Sequence, residues 1–348
     1  MKYPNPLTKG STFGITAFSS GISPKHNARF ECVTNHLKSQ GFNIVVGDCL
    51  YDQGKHVSGS AKQRAEELMS MLLDDSIDAI YPPWGGEIAM ELLPLIDFER
   101  LKLARPKWIL GFSDVSTISA TFACKLGWAT GHCSNLMDLA PNAIDPLTSS
   151  TLQHFATPSG GNFTQEALEH YASCWPDFVN APESGLELDT KTCWKWLTKP
   201  SHGDTIQGRL IGGCWDTLSH LFGTEYLDLK AMSEREPEGL ILYLENAEMP
   251  PTEVARSILS MEYRGVFECI NGLLIGRSAA PDETDSNRLS YYECLRQYLG
   301  DLPIPVMIDL DIGHKPPNLT LINGALASVS LSAKSEEHIG SITQTLAP

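Results

Sequence analysis

Residues 107–116 read KWILGFSDVS. An apolar run closes at Gly111, and Ser113-Asp114 then open a helical segment. A strand that turns tightly into a helix is the repeating step of α/β proteins. A serine on such a turn has the character of a nucleophile elbow, which projects the hydroxyl into a site. The G-x-S-x-G form would need glycine at 115, where this chain has Val115. Ser-Asp is also an ordinary helix start, so the local sequence leaves both roles open.

The same alternation extends outward. STFGITAF (11–18) reads as a buried strand, and a helix follows from Ser23 with Pro24 at its first position, Phe30, Val33 and Leu37 on one face, and a stop at Gly41. FNIVV (42–46) is a strand, 61–74 a helix with Leu68, Met69 and Leu72 on one face, IDAIYPP (77–83) a strand, and a helix begins near Glu87. Strands alternating with helices at this spacing predict βαβ units and a parallel sheet, with ligands beyond the carboxyl ends of the strands. Residues 140–205 lose the rhythm and are rich in Pro, Ser, Thr, Gly and Trp. Strands resume at QGRLIGG (207–213), GLILYLEN (239–246), INGLLIGR (270–277) and IPVMIDLDIG (304–313), and NLTLINGALASVSL (318–331) reads as paired strands. The expected organisation is an N-terminal nucleophile domain over 1–165, a linker and substrate-facing loop over 166–205, and a C-terminal domain over 206–348.

Composition narrows the function. With 348 residues and 42% hydrophobic side chains the chain can build two sizeable cores. A formal net charge of −16 opposes binding to a nucleic-acid polymer or to an anionic membrane surface. The nine cysteines contain no C-x-x-C pair, which fits neither a disulfide framework nor a zinc ribbon and points to a reducing compartment. No apolar run approaches the roughly 18 residues of a membrane span, and the N-terminus has no apolar signal segment. The expectation is a cytoplasmic protein. No G-x-G-x-x-G follows the first strand, which removes a nicotinamide-binding reading.

Three further segments carry chemistry. PPWGGE (82–87) puts two glycines between a strand and a helix, so that the backbone can approach a ligand and offer amides to an oxyanion. Glu245 closes the apolar strand LILYLE, where a carboxylate can orient a histidine. His314 follows a strand in DLDIGHKPP, with the ring type suited to a general base near neutral pH. His132, in TGHCSN, is its main competitor.

Taken in order, GGE (85–87) with LLPLIDFE (92–99), GFSD (111–114), GRLIGG (208–213) with LFGT (221–224), LYLEN (242–246) and GH (313–314) resemble the serine peptidase family of the LD-carboxypeptidases and the microcin C immunity proteins. The resemblance runs along nearly the whole chain. It implies Ser113 as nucleophile, His314 as base, Glu245 as acidic partner, and oxyanion amides at Gly86 and Asp114. It implies an α/β fold: an N-terminal parallel-sheet α/β domain with a nucleophile-elbow-like turn, plus a C-terminal α/β domain with a mixed sheet, with the site between them. It further implies a homodimer, neither cofactor nor metal, and a small-molecule or peptide substrate.

The chain length and the aromatic segment KTCWKWL (191–197) resemble the immunity branch, which implies base stacking on Trp194 or Trp196. Glu87, on the GG turn, is a candidate partner for a substrate amine. The chain departs from the family pattern where GGN reads Gly212-Gly213-Cys214 and where Phe18 replaces the proline before Ser19-Ser20. The expected activity is cleavage of an amide-type bond in an aminoacyl-nucleotide substrate. The alternatives are removal of terminal D-alanine from murein tetrapeptides, and a two-domain binder without catalysis.

Overall fold

The computed structural model describes residues 1–51, 54–201, 203–334 and 337–348. Four short strands, β1 (Thr12–Ile15), β2 (Asn43–Val46), β3 (Ala79–Ile80) and β4 (Trp108–Ile109), form an all-parallel sheet in the order β2-β1-β3-β4. The helices Asn27–Ser39 and Ala61–Leu73 supply the crossovers, burying Phe30, Val33 and Leu37 from the first and Leu68 and Leu72 from the second. Met69 is only partly buried, and Met71 takes the inward position instead. The helix expected near Glu87 is a 3₁₀ segment, Ala89–Leu95. Pro94 inside it lacks the amide a longer α-helix would need.

Strand β4 leads into the site. Leu110 bridges to Gly131 of β5 (Thr130–His132), and the chain turns at Gly111 into the helix Val115–Leu126. That helix is buried on nearly every face, as a helix packed between two sheets must be.

The stretch expected as linker contributes strands. After β6 (Asn162–Glu166), which lies almost wholly within the expected first domain, these are β7 (His170–Tyr171), β8 (Thr190–Lys191) and β9 (Lys195–Thr198). They are followed by β10 (Thr205–Cys214), β11 (Leu240–Glu245), β12 (Gly272–Gly276), β13 (Val306–Leu310), β14 (Leu321–Asn323), β15 (Leu326–Lys334) and β16 (Glu337–Thr345). Eight of these form one mixed sheet in the order β6-β16-β15-β10-β11-β12-β13-β9. Its centre, β10 to β13, is parallel, and β9 closes the edge antiparallel to β13. The near-continuous apolar runs of β11 and β12 are fully buried, as central parallel strands require.

Two features join the halves. Strand β14 pairs with β5, residue Leu321 opposite His132. One core cluster also holds Ile118 and Phe122 of the Val115–Leu126 helix together with Ile211, Trp215 and Leu218 from the second half. The carboxyl ends of β4 and of β11–β13 therefore face a common region, and the candidate residues lie there. No helix among the described residues is long and apolar enough to cross a membrane.

Candidate active site

Ser113 has φ +65°, a left-handed backbone that a non-glycine residue adopts at a cost of about 1–2 kcal/mol. His314 Nε2 lies 3.0 Å from Ser113 Oγ, and His314 Nδ1 lies 2.8 Å from Glu245 Oε2. Glu245 is fully buried, and its Oε1 has no hydrogen-bond partner among the described residues. Leaving a buried carboxylate oxygen unpaired costs about 1–3 kcal/mol or more, so its position serves the histidine rather than the fold. Burial works against the charged imidazole, but Glu245, Asp216 and Glu248 outweigh it and raise the His314 pKa.

The turn carrying Gly85 and Gly86 packs against this serine. A β-carbon on Gly85 would lie 2.6 Å from the Asp114 amide nitrogen and 2.7 Å from Ser113 Cβ, and one on Gly86 (φ +146°) would lie 2.4 Å from Ser19 Oγ. Only glycine permits this approach. The amides of Gly86 and Asp114 have no acceptor among the described residues, and Asp114 stands at the N-terminus of a 12-residue helix. Both conditions suit an oxyanion. The Asp114 carboxylate fixes the arrangement by accepting from Ser19 Oγ (2.6 Å), the Ala89 amide (2.7 Å) and Thr117 Oγ1 (2.7 Å).

The second half docks through its own glycines. A β-carbon on Gly213 would lie 2.3 Å from Ser116 Oγ, and that hydroxyl accepts from the Cys214 amide at 2.9 Å. Cys214 lies opposite Glu245 in the β10–β11 register. Burial pushes its thiol far up, so it stays neutral beside Glu245. Asp216, two residues on, accepts from the amides of Ala247, Glu248 and Met249 and so holds the loop that follows Glu245.

The cleft at Ser113 has a volume of about 250 Å³. Its walls are aromatic: Trp84, Phe112, Trp175 and Phe178 line it with Asn135, Asp138 and His314. Trp175 donates from its indole to the His314 carbonyl (3.0 Å) and lies nearly parallel to Phe112, with ring planes 16° apart. Trp194 and Trp196 do not line this cleft. Trp194 is buried, its indole bonded to Asp311 at 2.7 Å, so it has no face to offer a ligand. Trp196 sits on the edge strand β9, opposite Met307. Glu87 points outward to exposed His56, 3.2 Å away. His132 is fully buried beneath Phe112, and burial together with the His314 charge pushes its pKa down to about 3. It is a neutral core ring.

Sequence reading missed Trp175, Phe178 and Asp138. The aromatic pair flanking Pro176 was a usable signal inside the irregular stretch. Asp138 carries none, because only the fold brings it to the cleft. Burial raises its carboxyl to about 7 against the pull of the Asn135 amide and Arg29.

Comparisons with known proteins bear on the family and on the fold. The profile of the LD-carboxypeptidase N-terminal domain matches residues 13–133, and that of the LD-carboxypeptidase C-terminal domain matches 207–329. A putative carboxypeptidase of Vibrio cholerae is 28% identical, with 94% of this chain and 95% of that protein covered. The microcin C7 self-immunity protein of Escherichia coli is 26% identical, covering 94% and 93%. A solved structure of the microcin C7 self-immunity protein in complex with aspartyl sulfamoyl adenosine shares the fold with a TM-score of 0.81 at 24% identity, over 99% of both chains.

Proposed function

Because this chain belongs to the LD-carboxypeptidase family, whose members are peptidases, we propose that it cleaves an amide-type bond through an acyl-enzyme on Ser113. The observation that carries this is the continuous Ser113–His314–Glu245 hydrogen-bonded chain beside two unpaired amides. His314, with Nδ1–H donating to Glu245, accepts the Ser113 proton at Nε2 as Oγ attacks the carbonyl carbon. Glu245 stabilises the imidazolium. The Gly86 and Asp114 amides hold the oxyanion. The imidazolium then protonates the leaving nitrogen, and water, deprotonated by His314, releases the acyl group.

The substrate we propose is an aminoacyl group amide-linked to a nucleotide-like leaving group. The aromatic cleft walls support it, because a planar base gains about 1–3 kcal/mol on such a surface. Trp175, whose indole donates to the His314 carbonyl, takes the stacking role expected of Trp194 or Trp196. The family description favours a second reading, removal of terminal D-alanine from a murein tetrapeptide, with the same machinery.

The test is to incubate the chain and its Ser113→Ala variant with an aminoacyl sulfamoyl-adenosine and with a murein tetrapeptide, and to follow both by mass spectrometry. Serine-dependent release of the amino acid from the adenosine conjugate supports the first reading. Loss of terminal D-alanine alone supports the second. Cleavage of neither overturns both.

A further inference from the structure

Among the described residues, Asp138 is the only carboxylate that lines the cleft at Ser113, and no lysine or arginine lines it. The turn that carries the serine sets this acid in place. The Asn135 amide donates to Asp138 Oδ2 at 2.7 Å, and Asn135 Oδ1 accepts the amide of Phe112, the residue before Ser113, at 3.0 Å. Two hydrogen bonds thus fix the carboxylate relative to the proposed nucleophile.

The other oxygen is unused. Asp138 Oδ1 has no hydrogen-bond partner among the described residues, and the side chain is only partly buried where it lines the cleft. The charge of Arg29 is felt there, but Arg29 is committed elsewhere. Its Nε donates to the Met137 carbonyl at 2.7 Å and its Nη1 to the carbonyls of Pro182 and Ser184. Burial and Asp145 hold the Asp138 carboxyl up at about 7 against the Asn135 amide, Arg29 and His314, as befits a carboxylate with no cation of its own. A ligand that brings a cation supplies what the site lacks. The aromatic rings in the lining suit the same ligand, because their faces draw cations.

We propose that Asp138 is a specificity-determining residue that reads the free α-ammonium group of the substrate's acyl part through a charge-assisted hydrogen bond to Oδ1. The proposal rests on the reading of Ser113 as the residue that attacks an aminoacyl carbonyl, since the α-nitrogen is then one carbon away from the atom attacked. It gives Asp138 the role expected of Glu87, which points outward to His56. An acyl group whose nitrogen is blocked or missing leaves the carboxylate unpaired and is disfavoured. In a murein tetrapeptide the corresponding nitrogen is acylated by the preceding residue, so Asp138 selects for a single aminoacyl group.

The experiment is isothermal titration of the full chain, as Ser113→Ala so that nothing is cleaved, with alanyl sulfamoyl-adenosine and with its propionyl analogue, in which hydrogen replaces the ammonium. The alanyl compound should bind about 10- to 100-fold more tightly. Asp138→Asn keeps an oxygen for the Asn135 amide and should erase that difference while leaving the propionyl affinity unchanged, whereas a merely structural loss would weaken both compounds. Equal binding of the two compounds, binding of neither, or a preference that survives Asp138→Asn and is lost in Glu87→Gln would overturn the proposal. Failure of the reaction proposed at Ser113 looks different: the ammonium preference is present, and the native chain binds the alanyl compound without cleaving it.

Discussion

Gly313 is pressed against Glu245: a β-carbon at Gly313, whose φ is +107°, would lie 2.4 Å from Glu245 Oε2 and 2.6 Å from Glu245 Cβ. The glycine before the histidine is thus what lets the loop lay His314 onto its carboxylate. Gly313→Ala must displace one or the other. Misplacement of a catalytic group by about 1 Å costs on the order of 100-fold. We expect kcat/KM to fall by about that factor while the far-ultraviolet circular dichroism stays native. Native kinetics in this variant would remove the argument.

The acid limb of the rate profile follows from the charges around His314. The ring must be neutral to accept the serine proton, and Glu245, Asp216 and Glu248 raise its pKa above the ordinary 6.5. Activity should therefore rise with pH through an apparent pKa above 6.5. Glu248→Gln removes one of the charges that favour the protonated ring, so the limb should move to lower pH. The check is kcat/KM against pH for both proteins; a shift to higher pH would contradict the electrostatic picture.

Trp175→Ala separates binding from chemistry. If the indole stacks on a base, its loss should raise KM for an adenosine conjugate by about 10- to 100-fold, with a smaller change in kcat. A tetrapeptide substrate has no base to stack, so its KM should change little. Equal effects on both would make Trp175 a support for the His314 loop, through its bond to the His314 carbonyl.

How much of this was legible in the sequence differs by residue. The strand-turn-helix at 107–116, the GG turn and the positions of Glu245 and His314 could be read because each sits at the end of an apolar strand, where local pattern and global position coincide. The 3₁₀ segment after the GG turn could not, because Pro94 breaks a helix whose apolar spacing looks regular. The tryptophans divide for a different reason. Trp194 and Trp175 are alike as residues, and only tertiary packing sends one under the sheet to Asp311 and the other to the cleft wall. His132 and His314 divide in the same way: both lie at the ends of strands, but His132 on β5 is covered by Phe112 and Tyr243. The N-terminal Ser19 gained its meaning only from Asp114, 95 positions away.

An activated serine at position 113 should react with a fluorophosphonate probe, whatever the natural substrate is. The native chain should acquire one phosphonyl group, mapped by peptide mass spectrometry to Ser113, and His314→Ala should slow the labelling by orders of magnitude. An unlabelled chain, or an adduct on any other residue, would show that Ser113 is not the nucleophile.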